Sequence, residues 1–257
     1  MGEILMNKID ITTTATIRPE ILDKTLRSFT RCIFHERDRY KFIINIDPIG
    51  DKGKKKEEVL EVAKKYFNNV ICNFPNKPGF TKAVMWLWSH TDSDYVFHLE
   101  DDWFISHNIN IDNMVHILDI YSKICSVRLS KGQIAAAKKV IKPISCPYIQ
   151  SEDIGKFQLF PRLSLNPTLF RGDFVREAAK VMTIKLNPES QLVKRFAIKK
   201  EKKGKGDCNS QQIEELLSKW DHSVLMVNNG RPVVKDIGLM WRNKHGIQRK
   251  YDFMYWK

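Results

Sequence analysis

Residues 95–103, Tyr95-Val96-Phe97-His98-Leu99-Glu100-Asp101-Asp102-Trp103, run from a β-rich apolar segment straight into three consecutive acids and an aromatic. A strand covered on both faces reads as a near-continuous apolar run, as this one does, and such strands belong to parallel sheets. Carboxylates gathered at the end of a buried strand are costly unless a cation joins them. A hard divalent cation, Mg2+ or Mn2+, takes oxygen ligands from one or two carboxylates and from the phosphates of a substrate. An isolated Glu-Asp-Asp is also an ordinary solvated turn, but its place directly behind a buried strand favours the cation.

Toward the N-terminus the same pattern repeats, with a short apolar run, a polar end and then a stretch of helical periodicity. That is the signature of βαβ units. The first strand spans Ile9 to Thr14, and Arg18-Pro19-Glu20 opens a helix whose Ile21, Leu22, Leu26 and Phe29 share a face, with Pro19 suited to its first position. A second strand spans Lys41 to Asp47 and is stopped by Pro48 and Gly50; a charged helix from about Lys54 to Phe67 leads to a third strand, Val70 to Asn73. The turn Asn76-Lys77-Pro78-Gly79-Phe80 precedes a helix from Thr81 to Ser89. Ligands of an open parallel sheet bind outside the carboxyl ends of its strands, where Thr13, Thr14, Asp47, Asn73 and the acids collect.

Toward the C-terminus the pattern is less regular. It predicts a helix from Asn113 to Ile124, an apolar run Gln133 to Ala137, strand plus turn over Arg162 to Phe170, helices Asp173 to Val181 and Ser210 to Lys219, and a strand Val224 to Val227. Residues Lys194 to Lys205 are mostly cationic and read as an exposed loop. No internal repeat or second domain is evident.

The chain has 257 residues, 42% of them hydrophobic, which suffices for a core and excludes a disordered or fibrous protein. Its formal charge of +13 predicts attraction to polyanions, whether nucleotides, nucleic acid or anionic lipid. Cys32, Cys72, Cys125, Cys146 and Cys208 show neither a CxxC pair nor zinc spacing, so they read as reduced thiols of a cytoplasmic protein. No secretory leader and no run of about 18 apolar residues is present, so no integral membrane association is expected. Oligomeric state leaves no trace in the sequence.

The order of these parts resembles the GT-A fold of nucleotide-sugar glycosyltransferases, particularly its large inverting group. The resemblance rests on TTTATIRPEILDKTLRSF for the first strand and helix, on Asp47 after the second strand, on NKPGFTKAV for the loop and helix beside the donor, and on Glu100-Asp101-Asp102 for the acidic motif. It covers residues 9 to 105 well and the remainder loosely. It implies an α/β fold with a Rossmann-type, mostly parallel sheet, helices on both faces and an irregular acceptor-side C-terminal half. Residues 1–257 would form a single domain, with about 1–105 binding the nucleotide-sugar and about 106–257 the acceptor.

Carried over position by position, the resemblance implies that Thr14, Arg18 and Asp47 hold the nucleoside and that Gly79 and Lys82 lie beside the donor. Glu100 faces the ribose or sugar, Asp101 belongs to the donor-binding residues, and Asp102 is the principal ligand of Mn2+ or Mg2+. Glu stands here where the common pattern has Asp, which touches the role of Glu100 more than that of Asp102. Taken singly, Arg18, Asp47 and Gly79 are equally a first-turn residue, a turn-former and a hinge; their order along four βα units carries the reading.

An inverting transferase needs a general base beside the acceptor hydroxyl. In the resembled family that acid opens a helix downstream of a segment like LSLNPTLFRGDFVREA, and here Glu189 of Leu186-Asn187-Pro188-Glu189-Ser190-Gln191 holds the place. Asn-Pro-Glu is equally an ordinary helix start, and Glu152 and Asp153 are alternatives. The family often adds a late His to the metal, which points to His245, although a lone His among Arg242, Lys244 and Arg249 is commonly a surface residue. Arg242 and Lys244 could instead grip the diphosphate, with Asp236 as a structural partner for these cations. Among the aromatics, Trp103 is the one expected at the donor pocket.

The acceptor follows from charge alone. A polyanion such as DNA with hydroxymethylated bases is expected, with a cell-surface or capsular glycan as the alternative. A non-catalytic nucleic-acid-binding protein is disfavoured because no helix-turn-helix, zinc finger or RNA-binding signature occurs and carboxylates at strand ends repel phosphates.

Overall fold

In the computed structural model the residues described are 8–132, 148–151, 155–160, 163–193, 210–227 and 231–245. The apolar run Gln133 to Ala137, the cationic segment Lys194 to Lys205, Glu152, Asp153 and the residues from 246 onward lie outside them.

The first half alternates as its apolar pattern requires. Strand β1 (Ile9–Ile17) is followed by helix α1 (Pro19–Cys32), β2 (Tyr40–Gly50), α2 (Lys56–Tyr66), β3 (Asn69–Asn73), α3 (Phe80–Ser89), β4 (Tyr95–His98) and β5 (Trp103–Ile105). Then come α4 (Ile111–Ile120), β6 (Ile124–Arg128), β7 (Tyr148–Ser151), β8 (Gly155–Phe160), β9 (Thr168–Arg171), α5 (Gly172–Val181) and the short α6 (Pro188–Gln191). The described chain closes with α7 (Ser210–Lys219), β10 (Asp221–Met226), β11 (Val234–Asp236) and α8 (Leu239–Lys244).

Nine strands form one sheet in the order β3-β2-β1-β4-β9-β6-β10-β8-β7, and β5 and β11 pair separately. Strands β1 to β4 are mutually parallel, and in the whole sheet β8 and β9 alone run against the rest. The mostly parallel α/β sheet expected from the sequence is therefore present. Its side chains alternate with period two, sending Phe42, Ile44, Tyr95 and Phe97 into one core and Ile43 and Val96 into the other. The first core takes in α1, α2 and α4, the second α3, α5 and α7, so helices cover both faces. Each fully buried Phe here, such as Phe29, Phe97 or Phe170, contributes about 1.5–3 kcal/mol of apolar transfer.

Among the boundaries that depart from the sequence expectation, β1 runs on to Ile17 and β10 starts at Asp221, and two others have a clear local cause. The helix read to Ile124 ends at Ile120; a turn closed by Ile124 N–H donating to the Tyr121 carbonyl (2.8 Å) lets Ile124 open β6 instead. Strand β2 continues past Pro48 because the register jumps from Thr16 opposite Asp47 to Ile17 opposite Gly50, placing Pro48 in a bulge where its missing N–H costs nothing. Gly50, at φ 156°, leaves no room for a side chain, since a Cβ would lie 2.1 Å from the Ile17 carbonyl oxygen.

Candidate functional site

Beyond the last ladder residue of β4 the chain continues to follow β1. Leu99 N–H donates to the Thr12 carbonyl (2.9 Å) and Asp101 N–H to the Thr14 carbonyl (3.1 Å). Helix α1 fastens the acids from the other side, since Thr25 Oγ1 donates to the Asp101 carbonyl (2.7 Å) and Ser28 Oγ accepts from Ile105 N–H (3.2 Å). Thr25 and Ser28 are polar residues on the buried face of an otherwise apolar helix, and this is their use.

The Asp101 carboxylate is fully engaged. It accepts from Thr16 N–H (3.0 Å), Thr16 Oγ1 (3.3 Å) and Arg18 Nε (3.3 Å), and Arg18 Nη2 closes an ion pair with its other oxygen. Asp102 Oδ2 accepts from Arg242 Nη1 (2.7 Å) and Arg18 Nη2 (3.4 Å), and Arg242 Nη2 pairs with Asp236. The Arg18 and Arg242 side chains are only 5% and 9% exposed, so this is a buried network. Burial pushes the Asp102 carboxyl above the usual range, as does the charge of Asp101, while Arg18 and Arg242 draw it back down. Burial weakens the Arg18 proton, and the two aspartates more than offset this, holding its pKa above the usual guanidinium value.

Arg242 arrives by a long return of the chain. Strand β11 pairs antiparallel with β5, setting Asp236 opposite Trp103, and Ile237 N–H donates to the Asp102 carbonyl (2.8 Å). Helix α8 then starts at Gly238, where a Cβ would lie 2.0 Å from Asp102 Oδ2. Trp241 covers Arg18, whose guanidinium carbon is 4.7 Å from the ring centroid, and is itself held by donating Nε1–H to Asp51 (2.7 Å).

A second network closes the neighbouring wall. Asp47 accepts from Gly79 N–H (2.9 Å) and Asn45 Nδ2 (2.9 Å), and Asn45 accepts from Asn73 Nδ2 (2.7 Å). Burial pushes the Asp47 carboxyl up despite these donors. Thr14, Arg18, Asp47, Glu100, Asp102 and Arg242 line one open pocket at the carboxyl ends of β1, β2 and β4, with Phe80 and Ala83 of α3. Gly79 shapes that wall as the residue preceding α3.

Other expected residues fall elsewhere. Trp103 is buried in β5, outside the pocket lining, and donates its Nε1–H to Glu100 (3.0 Å), so it orients a pocket acid instead of facing a ligand. Lys82 is exposed on α3 and does not line the pocket. Glu189 accepts from Leu165 N–H (2.8 Å) and also lies outside the lining, although its turn is tied to α3 by Thr81 Oγ1 donating to the Leu186 carbonyl (2.8 Å). His245 stacks on Trp241 and faces Asp51, 3.7 Å away.

This donor set does not fit the divalent cation expected on Asp102 and His245. Asp101 accepts at both oxygens, Asp102 Oδ2 is packed on Gly238 between two guanidinium groups, and His245 has Nδ1 2.8 Å from the Trp241 carbonyl and Nε2 3.7 Å from Asp51. Among the described residues no three His, Cys, Asp or Glu side chains are grouped to hold a metal. Sequence reasoning missed Thr16, Thr25, Asn45 and Trp241 as parts of the site. The alternation of Thr12, Thr14 and Thr16 in β1 was the one available signal.

No protein-family model matches the sequence, and no curated protein matches it. Solved structures do. Residues 1–349 of TarS from S. aureus match over 90% of this chain and 60% of that one, with a TM-score of 0.53 at 10% identity. The same fragment in complex with UDP and with UDP-GlcNAc matches over 85% of this chain, and 57% and 56% of those chains, each with a TM-score of 0.50 at 10% identity. The chain thus spans about 60% or less of the length of the structures it matches, and 35% of a longer TarS chain. With the pocket at the strand ends and the order of β1 to β4, this likeness gives the chain the GT-A-type fold of nucleotide-sugar glycosyltransferases.

Proposed function

We propose that the chain transfers a glycosyl group from a nucleotide-sugar donor to an acceptor hydroxyl. The observation that carries this is a pocket at the ends of β1, β2 and β4 whose lining combines Thr14 and Asp47 with the guanidinium groups of Arg18 and Arg242. Asp47, fixed by Gly79 and Asn45, meets the base or ribose; Thr14 lies beside it; Glu100, oriented by Trp103, meets the sugar. The guanidinium groups face the leaving diphosphate.

Glu189 is the proposed general base. It takes the proton of the acceptor hydroxyl as the new bond to the anomeric carbon forms and the old bond to phosphate breaks, the diphosphate leaving with the electron pair. A single displacement of this kind inverts the anomeric centre. No step runs through a metal, for the reasons of fit given above.

The acceptor belongs to the same proposal. A net charge of +13 favours a polyanion, with hydroxymethylated DNA as the first to try and a cell-surface or capsular glycan as the alternative. Among the described residues no helix is long and apolar enough to cross a membrane. We place the chain in the cytoplasm, in keeping with free thiols at Cys32, Cys72 and Cys125.

The test is a panel of nucleotide-sugars followed by hydrolysis and transfer, with Asp47→Ala and Glu189→Gln beside the native chain. Asp47→Ala should weaken donor binding, whereas Glu189→Gln should slow transfer and spare donor binding. Failure of every nucleotide-sugar to bind would end the donor reading. Collapse of donor affinity in Glu189→Gln would remove Glu189 as the base. Transfer to DNA should fall steeply with salt while donor binding responds little; efficient transfer to a neutral glycan with none to DNA selects the alternative acceptor.

A further inference from the structure

We infer that Arg18 and Arg242 supply the hydrogen-bond donors on which the donor diphosphate is bound and released, so that donor binding needs no divalent cation. This rests on the nucleotide-sugar reading above. Two guanidinium groups stand at the acidic run where a metal would be expected, set against the three carboxylates of Asp101, Asp102 and Asp236, so what they offer a diphosphate is directed hydrogen-bond donors and not net positive charge. Each is held by carboxylates, Arg18 by the buried Asp101 and Asp102, Arg242 by the buried Asp102 and the half-buried Asp236.

A second observation is a donor left open. Arg18 Nη1 is buried and has no hydrogen-bond partner among the described residues, although every other donor position of that guanidinium is engaged and the side chain lines the pocket. A buried guanidinium donor left unpaired is costly. A phosphate oxygen in the pocket would satisfy it, and the planar fork of arginine suits phosphate better than an ammonium does. Trp241 over Arg18 and the packing of Gly238 on Asp102 hold both guanidinium groups in place before any donor arrives, so little reorganisation accompanies binding.

UDP, GDP, CDP, ADP and dTDP, each titrated calorimetrically into the native chain with a chelator and again with Mn2+, decide the matter. The expected result is binding of at least one of them with affinities in the two conditions that agree within about threefold, less than the tenfold that 1.4 kcal/mol represents. Arg242→Lys, which keeps charge and loses the fork, should weaken that binding about tenfold or more, in line with the loss of a charge-assisted hydrogen bond. Arg242→Gln strips two buried carboxylates of a partner, so the lysine variant and the native chain bear the test. Free Mn2+ mixed with the native protein should keep its solution spin-resonance signal. Binding of the diphosphate only with Mn2+, or loss of the free-Mn2+ signal to a tight site, overturns this inference and leaves the donor reading standing. Absence of binding in both conditions overturns both.

Discussion

Buried carboxylates stand at opposite ends of β1 and β4, Asp10 at one and Asp101 with Asp102 at the other, and their surroundings are built differently. At the starting end, Asp10 is fully buried and accepts from Asp92 N–H (2.8 Å), Ser93 N–H (3.1 Å) and Ser93 Oγ (2.8 Å), with Lys41 Nζ 3.3 Å away. Its partners come from the turn before β4 and the neighbouring strand. At the finishing end, Asp101 and Asp102 are satisfied by guanidinium groups from α1 and from α8, the latter 140 residues further along the chain, and the cluster opens onto a pocket. A carboxylate closed by its own neighbourhood is an anchor. One held by long cationic side chains beside a pocket has partners that a ligand can share.

The sharpest test of that contrast is Arg18→Met. It leaves Asp101 and Asp102 without one of their cations, and breaking a buried pair from one side costs about 3–5 kcal/mol. Denaturant unfolding should show this loss, and diphosphate binding should vanish with it; unchanged stability would mean that the finishing cluster is not the buried network described.

Next in size is a pH effect from His98, which lies between these carboxylates on β4 with its Nδ1 3.1 Å from Thr12 Oγ1. Complete burial pulls its pKa down to about 3. The unfolded chain then binds more protons than the folded one between about 6.5 and 3, so stability is full above this window and falls as pH drops through it, by up to about 1.4 kcal/mol per pH unit. Asp47 and Asp102, pushed up by burial, act in the opposite sense: their folded forms bind more protons, so their contribution falls as pH rises from the ordinary carboxylate value through the folded one. Unfolding midpoints measured from pH 7.5 to 4 in the native chain and in His98→Gln separate the two, since the native chain should show the steep acid limb and His98→Gln should lack it. An equal slope in both would remove His98 as the cause.

Asp10→Asn should cost about 1–3 kcal/mol of stability through donors left poorly paired, with diphosphate binding unaltered. Altered binding would erase the distinction between anchor and site. The smallest change is expected for Arg39→Ala, which removes an ion pair with the largely exposed Asp112 and should shift stability by about 1 kcal/mol or less.

Much of the scaffold was legible because periodicity is local. The alternation in Lys41 to Asp47 and the face Leu22, Leu26 and Phe29 placed β2 and α1, Pro19 marked the first turn of α1, and Ser210 to Lys219 is a helix with the limits read from sequence. Short strands are harder: the sequence pattern gives only Ile124 of β6 (Ile124–Arg128) to the preceding helix and leaves the rest unassigned, and three-residue β5 and β11 carry no period at all. They exist because each finds the other across the fold.

The sequence by itself determined the four parallel strands, the helices between them and the gathering of Thr14, Arg18, Asp47 and the acids at one edge, because a parallel βαβ order sends every strand end to the same side. Tertiary structure alone decided what those acids bind. Whether Asp102 meets a metal or a guanidinium depends on where β11 returns, and the pairing of Asp236 with Trp103 brings Arg242 to within 2.7 Å of it. A hydrogen bond needs its donor within ångströms, and no spacing along the chain encodes a distance closed by two segments more than a hundred residues apart.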